Sequence, residues 1–256
     1  MGADDVPRSL CHRTDKSYTV PTDMALGQSG AASEFNFAAC SGAVIKDFDS
    51  SQMTGVAPQI DVLRNGGAGR IGLVTFTIGG NDANFAGVMK YCATRGPKDE
   101  SCQDKFSKEV TADLASIKTE LPVLFDQIKT APGLAPGARV LVVGYPLFFD
   151  PQWLPPNANT QTCLTGWLTY TFSNSDMAWI DTSITKLDGI LGDAAAAAGF
   201  TYVDNATAFN GHYLCEPKPD LHGAIWPPFA RYESYHPTAP GYVAITARVE
   251  NALGIG

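Results

Sequence analysis

Two rhythms of apolar positions alternate along this chain. Ile71-Gly72-Leu73-Val74-Thr75-Phe76-Thr77-Ile78 is a near-continuous, β-branched run that stops at Gly79-Gly80, the pattern of a strand buried in a parallel sheet. Arg139-Val140-Leu141-Val142-Val143-Gly144 repeats it, and Thr201-Tyr202-Val203 is a shorter version. Glu34-Phe35-Asn36-Phe37-Ala38 alternates apolar and polar positions like a short strand. Elsewhere the period lengthens. From Phe106 onward, apolar residues recur at Val110, Leu114, Ile117, Leu121, Leu124 and Ile128, which predicts a helix bent or restarted at Pro122. Met177, Ile180, Ile184, Leu187 and Leu191 mark a second long helix, stopped by Gly199. Tyr242, Ile245, Val249 and Leu253 mark another, with Pro237 at its first position. Residues 21–26 also read as helical.

Strands alternating with helices predict an α/β fold, a parallel sheet covered on both sides. No repeat or linker divides the chain, so residues 1–256 read as a single domain. Two long irregular stretches, roughly 145–173 and 204–235, interrupt the alternation. Their content of Trp, Phe, Tyr and Pro suggests ordered cleft walls. Phe148, Phe149, Trp153, Trp167, Tyr170, Phe172, Trp226 and Phe229 are candidates to line an acyl-binding cleft, against the plainer reading of local core.

Composition narrows the functions. The net charge is −8 and no Lys or Arg run occurs, so nucleic acid is excluded as a partner. No apolar stretch approaches the ~18–20 residues of a bilayer span, so no integral membrane segment is expected. Cys11, Cys40, Cys92, Cys102, Cys163 and Cys215 form no C-x-x-C pair, and no His/Asp/Glu group has metal spacing, so neither metal nor cofactor is expected. An even cysteine count at loop-like positions points to three disulfides and a secreted protein rather than buried thiols. Of the fifteen possible pairings, the sequential one is favoured because each bridge closes a local loop. Residues 1–5 have no leader character. Asn205-Ala206-Thr207 is a possible glycosylation sequon.

Two segments carry candidate chemistry. Thr77-Ile78-Gly79-Gly80-Asn81-Asp82 leaves a strand end, where ligands bind in parallel α/β sheets. The Asn81 amide and the backbone N–H of Gly42 are candidate donors to an oxyanion; the plainer reading is a strand-to-helix turn capped by Asp82. Glu233-Ser234-Tyr235-His236-Pro237 offers a base, His236, with a carboxylate, Glu233, to orient its imidazole. His12, His212 and His222 read as structural or cleft-lining. No G-x-G-x-x-G follows a predicted strand, so a dinucleotide-binding protein is excluded.

Taken together these segments resemble the SGNH hydrolases, or GDSL lipases and esterases, particularly their secreted disulfide-containing branch. Cys11-His12-Arg13 with Ser17-Tyr18 is similar to that branch's Cys-His-Arg-Ser segment. Residues 37–43 resemble its glycine block, Gly79-Gly80-Asn81-Asp82 its asparagine block, and Glu233 to Pro237 its histidine block. The resemblance implies a flavodoxin-like three-layer α/β/α fold with strand order 2-1-3-4-5 and ester hydrolysis through an acyl-serine intermediate. It implies Gly42 and Asn81 as oxyanion donors, His236 as general base, and Glu233 in place of the family's usual Asp. Some members orient the histidine with a backbone carbonyl instead. The substrate would be a small-molecule or lipid ester, with an acetylated carbohydrate as the alternative.

The family's Gly-Asp-Ser block has no counterpart here. Ser9 lacks its context, Ser41 lies inside the glycine block, and Ser29 in Gly27-Gln28-Ser29-Gly30 has Ala31 where a nucleophile elbow needs glycine. The expectation is a chain lacking its N-terminal segment, with the leader, first strand and nucleophile beyond its start. Such a chain would be inactive alone, poorly stable, and prone to self-associate through the slot between residues 34–38 and 71–78. A ligand-binding pseudoenzyme of the same fold is the alternative.

Overall fold

The computed structural model describes residues 11–30, 34–96, 98–150, 160–165, 168–223 and 234–255, with residues 160–165 and 168–171 described by their backbone alone. The elements, in chain order, begin with α1 (Thr19–Gln28), a single 3₁₀ turn (Ile45–Phe48), α2 (Asp61–Asn65), β1 (Ile71–Phe76) and α3 (Phe85–Thr94). They continue with α4 (Cys102–Lys129), β2 (Leu134–Val143), β3 (Thr160–Thr165), β4 (Leu168–Ser173), α5 (Asn174–Ala198), β5 (Thr201–Val203) and α6 (Ala239–Leu253). Strands β1, β2 and β5 form a parallel sheet in that order, and β3 and β4 a separate antiparallel hairpin.

The two long helices were legible from their spacing, and their ends follow from caps. Ser101 and Ser173 each accept the N–H of the residue three further on, removing one unpaired donor from the first turn. Gly199 closes α5 in the left-handed region at φ 77°. Helix α4 runs unbroken through Pro122, so the expected restart does not occur; Leu121 and Leu124 on either side stay fully packed. At the start of α6 the reading shifts by two residues. Thr238 is the cap, accepting the Gly241 N–H at 3.2 Å, while Pro237 pairs with Leu221 in an isolated antiparallel bridge.

The layers follow from alternation along β1. Phe76 faces α4, its ring 5.6 Å from Phe125, while Thr75 and Thr77 lie on the side of the Tyr18 hydroxyl, just before α1. Helix α1 packs in turn on α6. Residues 140–143 of the central β2 are buried throughout, because both faces of that strand are covered. Each large buried aliphatic or aromatic side chain there contributes roughly 1.5–3 kcal/mol.

The strand expected at residues 34–38 does not form. Glu34, Phe35 and Asn36 are exposed and irregular, and among the described residues β1 pairs only with β2. An alternating segment without a neighbour has no ladder to complete. Its end is held differently: the Arg13 guanidinium donates to the carbonyls of Ala38 and Ala39. Among the described residues the other edge of β1 has no partner strand, and β1 is only partly buried where full burial was expected. Asn205 is fully buried and donates to the Gly144 carbonyl at 3.0 Å, so the sequon is not a glycan acceptor in the folded chain.

Two expected disulfides are present, Cys11–Cys40 and Cys92–Cys102. Cys215 is also disulfide-bonded; the side chain of Cys163, its expected partner, lies outside the described residues. Trp153, Trp167, Trp226 and Phe229 and the Tyr170 side chain also lie outside them. Phe149 and Phe172 are core rather than cleft wall, fully buried with ring centroids 5.1 Å apart.

Candidate active site

The glycine and asparagine segments meet at the carboxyl end of β1. Asn81 donates from Nδ2 to the Ala43 carbonyl at 2.9 Å, and the Ile45 N–H donates to Asp82 Oδ1 at 2.9 Å. Asn81 and Asp82 thus straddle the turn that begins at Gly42. Asp82 bonds across to this turn rather than capping α3, whose cap position is Asn84. Nδ2 carries two protons, so the bond to Ala43 orients the carboxamide and leaves one N–H to donate. Gly42 has φ 75° and is exposed, a backbone conformation that favours glycine. Among the described residues its N–H has no acceptor.

This turn is pinned from the N-terminal side. Cys11 is bridged to Cys40 and its carbonyl accepts the Ser41 N–H at 3.1 Å. Arg13 holds the two carbonyls before Cys40. The Cys-His-Arg segment is thus a clamp on the Gly42 turn, a role its sequence did not disclose.

His236 enters from α6. Arg139, at the first in-register pair of β2 with β1 after the bulge, donates to the carbonyls of Ala252 and Leu253. The C-terminus of α6 therefore lies near the amino end of the paired strands. Helix α6 extends about 22 Å, which carries its first turn toward the carboxyl end. Tyr18 supports this placement, since its hydroxyl lies near Thr77 beyond β1 and near Tyr242 in the first turn of α6. The His236 carbonyl accepts the His222 N–H, and the His222 carbonyl accepts the Tyr235 N–H. Together with the Leu221–Pro237 bridge, these bonds fix the loop backbone.

The His236 ring has a defined orienting partner: Nδ1 lies 3.0 Å from the Ser234 carbonyl oxygen. A carbonyl only accepts, so Nδ1 carries the proton and Nε2 presents its lone pair. Burial lowers the imidazole pKa to about 4, against an opposing contribution from the Ser234 bond. At neutral pH the ring is uncharged, as a proton acceptor must be. Glu233 lies outside the described residues, as does Ser9. Ser29 caps the end of α1, its hydroxyl donating to the Leu26 carbonyl at 2.7 Å, which is not the setting of a nucleophile. Among the described residues no cluster of His, Cys, Asp or Glu is arranged to hold a metal.

A further residue, Tyr145, reaches the site without having been singled out in the sequence. Its hydroxyl accepts the Gly80 N–H at 2.9 Å, and burial raises its pKa, so it stays a neutral phenol. A Cβ on Gly80 would lie 2.8 Å from that oxygen, so any larger residue there would displace the Tyr145 ring. The position two residues past the end of the apolar strand β2, after Gly144 and before Pro146, was the available signal.

Helices on both faces of a parallel sheet, with the Gly42 and Asn81 segments meeting at the carboxyl end of β1, are the arrangement expected for an SGNH-type hydrolase. The chain belongs to the GDSL-like Lipase/Acylhydrolase family, whose model matches residues 9–244. It is 34% identical over 241 residues to a lipase of Streptomyces rimosus, covering 94% of this chain and 76% of that protein. It is 35% identical over 232 residues to Lipase 1 of Streptomyces coelicolor, covering 90% and 73%. Among solved structures it is similar to phospholipase A1 from Streptomyces albidoflavus, with TM-score 0.72, 29% identity and coverage of 98% and 92%. Similarity to an acetylxylan esterase from Geobacillus stearothermophilus, at TM-score 0.53 and 14% identity, with coverage of 99% and 91%, concerns the fold alone.

Proposed function

We propose that this domain is that of a secreted carboxylic-ester hydrolase that works through an acyl-serine intermediate. Gly42 and Asn81 are the oxyanion donors, and His236, oriented by the Ser234 carbonyl, is the general base. The nucleophilic serine comes from outside the described residues, on a strand that pairs with β1 on the side away from β2. His236 Nε2 takes the serine proton as Oγ bonds the ester carbon, and the carbonyl electrons move onto oxygen. The Gly42 N–H and the Asn81 amide receive that charge, one such donor contributing roughly 3–4 kcal/mol. Collapse breaks the C–O bond, and the imidazolium protonates the departing alcohol. Water then releases the acid by the reverse proton transfers.

The observation that carries this reading is the pair of bonds joining Asn81 to Ala43 and Ile45 to Asp82, which brings two separate donors to one strand end. An acyl ester of a lipid is the favoured substrate, because the Streptomyces relatives are lipases and one solved relative is a phospholipase A1. Secretion is supported by the disulfides and by similarity to an extracellular lipase of Streptomyces rimosus. The test is a p-nitrophenyl butyrate assay on this chain and on the chain preceded by a strand ending in Gly-Asp-Ser. The expected result is turnover in the extended form, abolished by His236→Ala. Turnover that survives His236→Ala overturns the mechanism.

A further inference from the structure

We propose that Tyr145 is a positioning residue for the oxyanion site, holding Asn81 in register through the backbone of Gly80; this rests on the assignment of Asn81 as a donor. The bond itself is direct, Gly80 N–H to Tyr145 Oη at 2.9 Å, one residue before Asn81. It fixes the Gly79–Gly80 peptide, one peptide before the Cα from which the carboxamide projects.

What makes Tyr145 a reference point is the rigidity behind it. Each backbone N–H from residue 144 to 149 is bonded, Pro146 having none. Gly144 donates to the Val203 carbonyl at 2.9 Å and Leu147 to that of Ala206 at 3.2 Å. Tyr145 donates to Asp188 Oδ1 at 2.8 Å. Phe148 and Phe149 donate to Asp181 at 3.0 Å and 3.2 Å. Asp181 and Asp188 are buried on α5, a 25-residue helix packed on α4. Two carboxylates spent on backbone N–H groups in a core are costly unless the segment they hold must not move. The ring projecting from that segment then meets Gly80 so closely that a Cβ there would displace it.

Asn81 is accordingly fixed twice, through Gly80 to the α5 side and through Ala43 to the Gly42 turn. An oxyanion donor must be aimed before the charge develops, and small misplacements are costly in rate. Loss of the Tyr145 hydroxyl is therefore expected to lower kcat and leave KM nearly unchanged.

Two measurements test this. In the ¹⁵N-labelled chain as it stands, Tyr145→Phe is expected to speed hydrogen exchange at Gly80 and shift the Asn81 carboxamide resonances, with little change in melting temperature. Unshifted Asn81 resonances overturn the proposal. In whichever form hydrolyses p-nitrophenyl butyrate, Tyr145→Phe is expected to lower kcat about tenfold, and the double variant with Asn81→Ala to be no slower than Asn81→Ala alone. A full further loss in the double variant shows that Tyr145 acts apart from Asn81 and overturns the proposal. Should Tyr145→Phe fold poorly, Gly80→Ala, which pushes the hydroxyl away, is expected to give the same signature, and its absence overturns the proposal equally. If no form hydrolyses the ester, the assigned function fails, and the resonance measurement still decides whether Tyr145 sets the position of Asn81.

Discussion

Asn81 Nδ2 lies 2.9 Å from the carbonyl oxygen of Ala43, a bond across 38 residues of sequence. It sets the direction of the carboxamide and the position of the Gly42 turn together. Asn81→Ala is expected to lower kcat about a hundredfold or more with KM little changed. Asn81→Asp should be slower still, because a carboxylate has no proton to donate and repels the oxyanion. Steady-state kinetics on p-nitrophenyl butyrate with the active form checks both.

The Ser234 carbonyl at His236 Nδ1 gives a second expectation. If that carbonyl suffices to fix the tautomer, Glu233→Gln lowers kcat only a few-fold, whereas His236→Ala removes activity. A loss of about 10⁴ in Glu233→Gln, comparable to removing a triad carboxylate, would instead assign the orienting role to Glu233.

Buried titratable groups predict how stability varies with pH. His236 is held neutral, its pKa lowered from 6.5 to about 4. The stability this represents is complete above 6.5 and lost as pH falls toward 4, because the unfolded chain binds the proton first. Asp188 has the opposite sign. Burial raises its pKa from 3.8 to about 7, so its contribution is complete below 3.8 and lost as pH rises toward 7. Asp188→Asn retains an oxygen to accept the Tyr145 N–H without the buried charge. It is expected to raise stability by about 1–2 kcal/mol at pH 8 and to change it little at pH 4. Thermal unfolding of both proteins across that range measures the crossover.

Cys92 and Cys102 close a ten-residue separation between α3 and α4. Beside the bridge, Asp176 accepts the Cys102 N–H at 2.9 Å and a charged pair of bonds from Arg95. Replacing both cysteines by serine is expected to cost about 3 kcal/mol, read as a lower urea midpoint, with Arg95→Ala adding to the loss.

Among the described residues β1 has a partner strand on one edge alone, and an uncovered edge would leave backbone groups unpaired. Sedimentation of the chain alone is expected to show concentration-dependent association, and the added Gly-Asp-Ser strand is expected to suppress it by covering that edge. A monomer at every concentration, with urea resistance matching the extended form, would show that the edge is already protected.

Local chemistry was enough to read α4, α5, the cores of β1, β2 and β5, and the turns at Gly42 and Gly79-Gly80. In each, the informative residues lie close together in sequence: a three-and-four apolar period, a β-branched run, a glycine where the chain turns. The strand at residues 34–38 could not be read that way. Its alternation is real, yet pairing depends on a neighbour that the segment does not itself supply. The same holds for the unbroken course of α4 through Pro122, where tertiary packing of Leu121 and Leu124 outweighs the local cost of proline.

The sequence by itself determined which chemical groups this protein possesses, a glycine amide, a carboxamide and an imidazole, and the elements from which each is presented. Only the tertiary structure decided their partners: Ala43 for Asn81, the Ser234 carbonyl for His236, and Tyr145, braced by Asp188, for Gly80. Hydrogen bonds of that kind are short-ranged in space but indifferent to separation along the chain, so no local pattern records them until packing of the sheet and helices brings the groups within about 3 Å.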